Sequence, residues 1–218
     1  MQRDFGATIV MYHYVRPLSF GRYPDIKARE LSEFDEQLDY LQSSFDLLSM
    51  EEFLEASALD CIPEKAALLT FDDGFIDHYT YVLPRLVDRG LRAAFYPPAA
   101  PITEHALLDV HRVQFILASA PSIQDVRVEL EALIRESMST DEIGEMRATW
   151  EKPNALDTAD IIFIKRTLQV ALPSNLRRDF CSRLFRKFVS IDERAFAEEL
   201  YMDAEHLKLM RRLGMHIG

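Results

Sequence analysis

Three short, uninterrupted apolar runs constrain this chain most: Ala7–Tyr12 (ATIVMY), Ala66–Phe71 (AALLTF) and Ala93–Tyr96 (AAFY). None alternates apolar with polar residues, so each predicts a strand buried on both faces, the habit of parallel sheets. Helical spacing fills the gaps between them. Phe34, Leu38 and Leu41 follow a capping box placed at Ser32 and Asp35, and Ser49 with Glu52 repeats that signature ahead of Phe53, Leu54 and Leu59. Tyr79, Val82, Leu83, Leu86 and Val87 line one face of the next helix, which Pro84 is expected to bend and Gly90 to close. Strands alternating with helices over short links predict an α/β architecture, a parallel sheet or barrel.

Near Ile102 the pattern becomes almost wholly helical, with Asp157, Ser174, Ser190 and Asp203 as candidate N-caps. The Arg/Lys run from Arg177 to Lys187 reads as the solvated face of a helix. Gly214 ends the last helix and Met215–Gly218 starts a further strand. The expected division is residues 1–101 as the first part of the α/β domain, 102–213 as a helical insertion and 214–218 as the start of the next strand.

Composition narrows the partners. Thirty-six acidic against 25 basic residues leave a net charge of −11, a field that opposes a phosphate backbone and excludes nucleic acid as the main partner. The start, MQRDFGATIVMYHYV, lacks the pattern of a secretory signal, and no apolar run approaches the ~20 residues of a membrane span. The expected location is therefore the cytoplasm. Cys61 and Cys181 stand alone, which argues against a disulfide framework or a thiolate zinc site.

The chemistry concentrates in Leu68–Phe75 (LLTFDDGF), where a buried strand ends in two adjacent acids and a glycine able to turn tightly. Functional groups of parallel α/β folds gather at the C-terminal ends of strands. Two acids there can divide the work, one holding a divalent metal and the other acting as general base. Asp is equally at home capping the helix that begins near Phe75. Both uses remain open on spacing alone.

Thr70-Phe71-Asp72-Asp73-Gly74 resembles the first motif of the polysaccharide deacetylase family, also called the NodB-homology or carbohydrate esterase family four domain. Val10–Val15 (VMYHYV) looks like the N-terminal strand of a subgroup that begins near a Tyr-His pair, and Phe34 to Leu41 like the helix after it. Tyr81–Pro84 and Gly90–Tyr96 resemble the helix and strand that follow the double Asp. The likeness covers roughly residues 8–98, with Lys208–Gly218 matching weakly. It implies a partial, deformed (β/α) barrel of the NodB type carrying a large helical insertion.

The resemblance also implies roles. Asp72 matches the family's catalytic base and Asp73 its metal-ligating Asp, with a divalent ion, zinc, as cofactor and an N-acetylated sugar or glycan precursor as substrate. The family's remaining ligands lie in a His-x-x-x-His-like motif beyond the strand that Met215–Gly218 resembles, so the chain is expected to be an incomplete fragment with little activity of its own. His216 falls in the strand before that motif. His13 follows the first strand and sits on the same rim as the acids, either lining the site or packed at a strand end. Tyr12, Tyr14 and Tyr96 offer aromatic walls for a sugar ring or serve the core. His78, four residues after Gly74 on a helix, either pairs with Asp77 or faces solvent, the latter being expected, and His105, His111 and His206 are expected to be structural. The function implied is metal-dependent removal of N-acetyl groups; the alternative is a non-catalytic carbohydrate-binding or scaffold protein on a degenerate deacetylase fold.

Overall fold

The computed structural model describes residues 6–218; the reading of the N-terminus as leaderless falls in part on residues 1–5, outside the described residues. Five strands form one parallel sheet: β1 (Thr8–Tyr12), β2 (Asp46–Leu47), β3 (Ala66–Asp72), β4 (Ala94–Tyr96) and β5 (His216–Ile217). Their order is β1-β3-β4-β5, with β2 also paired to β3. The path has two ends, and no pairing of β5 with β1 closes it among the described residues. Three of the strands lie where the apolar runs predict them, and β5 lies where Met215–Gly218 is expected to start one. The two-residue β2 carries no apolar run of its own, and its pairing comes from Asp46 and Leu47 meeting Ala66 and Ala67.

One face of the sheet is covered by helices. Tyr12, Leu69, Phe71 and Phe95 pack there against Phe34, Leu38 and Leu41 of α1 (Leu31–Ser44) and against Val82 and Leu86. Phe71 stacks on both Tyr12 and Phe95, with centroids 5.1 and 4.9 Å apart. β3 is buried along Ala66–Phe71, as its composition demands. β1 is not: Ile9 and Met11 are each 60% exposed. They alternate with Val10 and Tyr12, so they point away from the helix-covered face of an edge strand.

The helix ends follow local chemistry in part. α2 (Met50–Ala58) starts with the expected capping box of Ser49 and Glu52. Gly90 and Gly214 adopt φ of 67° and 84°. Each closes a helix through a bond to the carbonyl five residues back, Leu91 N to Leu86 O at 2.8 Å and Met215 N to Met210 O at 3.1 Å. The box expected at Ser32 and Asp35 does not form. Glu30 caps α1 instead, because its carboxylate also accepts from Leu18 N at 2.7 Å, and Asp35 pairs with Arg85 and Arg89. Pro84 sits in the first turn of α3 (Leu83–Asp88), preceded by a π-helical turn over His78–Val82.

Two compact units divide the chain. Among the described residues the first comprises 6–21, 27–106 and 197–218 and holds the sheet; the second comprises 22–26 and 107–196. Within the first lie α4 (Ala99–Glu104) and α11 (Ala204–Arg212), the latter capped by Asp203. Residues 197–213 thus group with the sheet, since Met202 and Met210 belong to its core.

The second unit is a set of helices: α5 (Asp109–Ser119), α6 (Ile123–Ser137), α7 (Thr140–Trp150), α8 (Ala159–Arg166), α9 (Ser174–Phe188) and the start of α10 (Glu193–Leu200). Thr158 caps α8, while Asp157 pairs with Lys165. Ser174 is the first residue of α9 rather than its cap, and Asp192, not Ser190, accepts from Ala195 N at the start of α10. Arg127 is buried among Glu131, Glu151 and Asp160 and lies 3.9 Å over the Phe163 ring. The basic run of α9 meets acids: Arg183 with Glu136, Arg186 with Glu193 and Lys187 with Glu129.

Candidate active site

β3 ends at Asp72, and the chain turns through Asp73 and Gly74 at φ of 71° and 65°. Asp tolerates this left-handed conformation better than most side chains. Gly74 is required by space as well as by φ, because a Cβ there would stand 2.7 Å from Pro97 Cβ. Met202 N then donates to Gly74 O at 2.8 Å, which fixes the turn from outside.

The two acids differ in backbone setting, one on the strand and one in the turn. Asp72 follows the strand and pairs in register with Tyr96, so both side chains leave the face opposite Phe71 and Phe95. It is a strand residue and does not occupy the cap position of the following helical turn. Asp73 faces His13, with Oδ2 3.9 Å from Nε2, and both side chains are partly open to solvent.

Burial raises the Asp72 pKa above the ordinary carboxylate value; the neighbouring Asp73 charge adds to this and His13 opposes it. Tyr96 is likewise raised, by burial first and by the Asp72 charge second. Tyr96 and Asp72 therefore sit within electrostatic reach of each other. A groove of about 700 Å³ runs along β1, lined by Met11, His13, Arg29, Gln37 and Tyr40 among others.

His13, Asp72, Asp73 and Tyr96 gather on one rim. Tyr12 borders the groove along β1 but lies on the other face of the strand from Met11. The pleat places its ring in the helix-covered core, edge-on to Phe34 at 5.1 Å, with its hydroxyl donating to Gln37 at 3.1 Å. Tyr14 is also buried, stacked on Phe75 at 3.9 Å. His216 lies with Glu51 at 2.9 Å, at a level of the sheet paired with Ala94. His105 stands 3.6 Å from Glu198, His206 completes the cap of α11, and His111 is buried in α5.

His78 contradicts the expectation of a solvent-facing residue. It is fully buried, its Nε2 2.7 Å from the His13 carbonyl oxygen, and burial pushes its pKa down to about 4. Beside it Asp77 is also buried and takes two bonds from Arg16, at 2.7 and 3.0 Å. Neither partnership has a pattern in the sequence. The available signal is Pro84, which interrupts regular helix just after His78.

Among the described residues no three His, Cys, Asp or Glu side chains are grouped to hold a metal ion. Asp73 with His13 makes two donors on the rim. The Cys181 thiol is buried and pushed up to about 12, and Cys61 is exposed and free. No helix among the described residues is long and apolar enough to cross a membrane.

No family model and no curated protein matches the chain. Solved structures similar to it include a de-N-acetylase from Aggregatibacter actinomycetemcomitans, at 22% identity and TM-score 0.36 over 42% of this chain and 37% of that one. IcaB from Ammonifex degensii aligns at 30% identity and TM-score 0.37, over 45% of this chain and 41% of its own. The Streptococcus pyogenes deacetylase PplD, in complex with acetate, aligns at 19% identity and TM-score 0.39 over 83% and 81%. The match spans less than half the length of the first two.

Proposed function

We propose that this chain carries part of the active site of a metal-dependent hydrolase that removes N-acetyl groups from a sugar or glycan. The observation that carries this reading is the left-handed turn at Asp73 just past the strand residue Asp72, which leaves Asp73 3.9 Å from the His13 imidazole and Asp72 within reach of the charges of both. A helix-capping pair has no need of an imidazole, whereas a base beside an ion-binding carboxylate does.

Asp72 is the general base of this reading. Its raised pKa makes it a better proton acceptor than an ordinary carboxylate, and it takes a proton from the water that attacks the amide carbonyl. Tyr96 keeps its phenolic proton, since its own pKa is raised, and is a donor beside the base. The groove along β1 gives a sugar chain a path to His13. Zinc would sit on Asp73, but a catalytic zinc site normally has three protein donors. Asp73 and His13 supply two, so the described residues do not complete that site.

The test is acetate release from N-acetylglucosamine oligomers, with and without added Zn²⁺ or Co²⁺, together with binding of the metal alone. Slow, metal-stimulated release that Asp72→Asn abolishes supports the reading. Release indifferent to Asp72→Asn overturns it, as does absence of both release and metal binding. The shortfall of donors favours a second reading, glycan binding without turnover. That one predicts oligomer binding that is indifferent to metal and yields no acetate.

A further inference from the structure

The segments leaving β1 and β3 are fastened side to side. Tyr14 stacks on Phe75, Arg16 grips Asp77 with two bonds, and His78 Nε2 meets the His13 carbonyl oxygen at 2.7 Å. The first two contacts are those any pair of packed loops would use. The third is not. His78 is completely buried, with Phe71, Phe75 and Phe95 at ring-centroid distances of 5.4, 5.8 and 5.8 Å. Its Nδ1 finds no hydrogen-bond partner among the described residues. An apolar side chain would fill such an aromatic cage without burying an unsatisfied nitrogen. The imidazole is therefore explained by the one bond it makes. A carbonyl only accepts, so the proton resides on Nε2 and Nδ1 is the bare nitrogen.

The backbone gives an independent sign. Leu83 N reaches back to His78 O, so His78 opens a π-helical turn. Such turns insert an extra residue into a helix and occur frequently at functional sites. Here the turn places Asp77 on Arg16 and His78 on His13, two consecutive residues holding one strand exit.

We infer that His78 is a positioning residue of the Asp72–Asp73 site: its Nε2–H holds the His13 backbone and so keeps the His13 imidazole opposite Asp73. What the site does rests on the deacetylase reading; the placement of His13 does not.

The experiment uses the full chain with His78→Leu, which keeps bulk and loses the donor, and His78→Gln, whose amide N–H can reach the same carbonyl. Nitrogen-15 NMR of the wild type is expected to show His78 protonated on Nε2. In His78→Leu the His13 carbonyl and ring resonances shift, and kcat for acetate release from N-acetylglucosamine oligomers falls about 10–100-fold per folded molecule with KM within about twofold. His78→Gln restores most of both. An Nδ1-protonated His78, unmoved His13 resonances in His78→Leu, or a Gln variant no better than Leu overturns the inference. Where the wild type neither releases acetate nor binds metal, the deacetylase reading fails, and the tautomer and the His13 resonances still decide the positioning role. Where His78→Leu does not fold, the wild-type tautomer and the His78→Gln resonances decide it.

Discussion

The Nε2 of His13 stands 3.9 Å from Oδ2 of Asp73, across two parallel strands whose last paired residues are Tyr12 and Phe71. Parallel strands deliver their C-terminal ends to one rim, so residues far apart in sequence meet just beyond the last pair. The separation exceeds a hydrogen bond, and the side chains stay 44% and 25% exposed. The two groups thus form no closed ion pair.

The two acids should respond differently to substitution. Asp72→Asn should keep metal affinity and lose about 10²–10⁴-fold in turnover, because an amide cannot take the proton from water. Asp73→Asn should lose metal and activity together. Asn is the better choice at this position because Ala at φ 71° would add backbone strain to the lost carboxylate. Metal titration and acetate release on both variants check the division. Equal metal loss in both would make Asp72 a ligand as well.

Gly74→Ala should destabilise the fold by about 2 kcal/mol or more, since Ala resists a φ of 65° and its Cβ would press on Pro97 at 2.7 Å. Urea unfolding measures this directly. A loss below about 0.5 kcal/mol would mean that the turn and Pro97 move apart freely.

Arg16 and Asp77 form a largely buried pair, 16% and 5% exposed at the side chain. Burial still leaves the Asp77 pKa above its ordinary value, with Arg16 pulling it down. Arg16→Leu strands the carboxylate and should cost about 3–5 kcal/mol at pH 7. The cost should shrink towards pH 5, since burial without the Arg16 charge raises the carboxyl further and favours its protonated form. Asp77→Asn should cost less, because its amide oxygen still accepts from the guanidinium. Thermal melts at both pH values test the ordering.

Acid should destabilise the protein through His78. Its folded-state pKa is held at about 4 by burial, with the His13 carbonyl and the Asp73 charge pulling it up and the His13 and Arg16 charges pulling it down. The unfolded chain binds the proton near ~6.5, so below that pH the unfolded state gains protons that the folded state refuses. Stability is full above about pH 6.5 and declines by roughly 3 kcal/mol as pH falls towards 4. His78→Leu should flatten this slope. Unfolding free energies at pH 7, 6, 5 and 4 for both proteins check the prediction, and an unchanged slope would refute it.

Patterns whose cause is local survive from sequence to structure. The apolar runs at Ala7–Tyr12, Ala66–Phe71 and Ala93–Tyr96 carry parallel strands because their apolar and β-branched side chains favour an extended chain packed on at least one face. The acids at the end of β3 followed them onto the rim, and Ser49, Gly90 and Gly214 acted through their own backbone preferences. Readings that needed a partner from elsewhere fared differently. Glu30 displaced the Ser32 cap because a loop N–H at Leu18 held its carboxylate. Ile9 and Met11 are exposed because β1 lies at the sheet edge, which its own composition cannot report. Tyr12 went to the core because the pleat, fixed by pairing with Phe71, chose its face. His78 was hidden most deeply. A π-helical turn ahead of Pro84 breaks the 3.6-residue period by which a helical face is read. Its burial and its bond to His13 arise only once two strand exits, distant in the chain, are brought side by side.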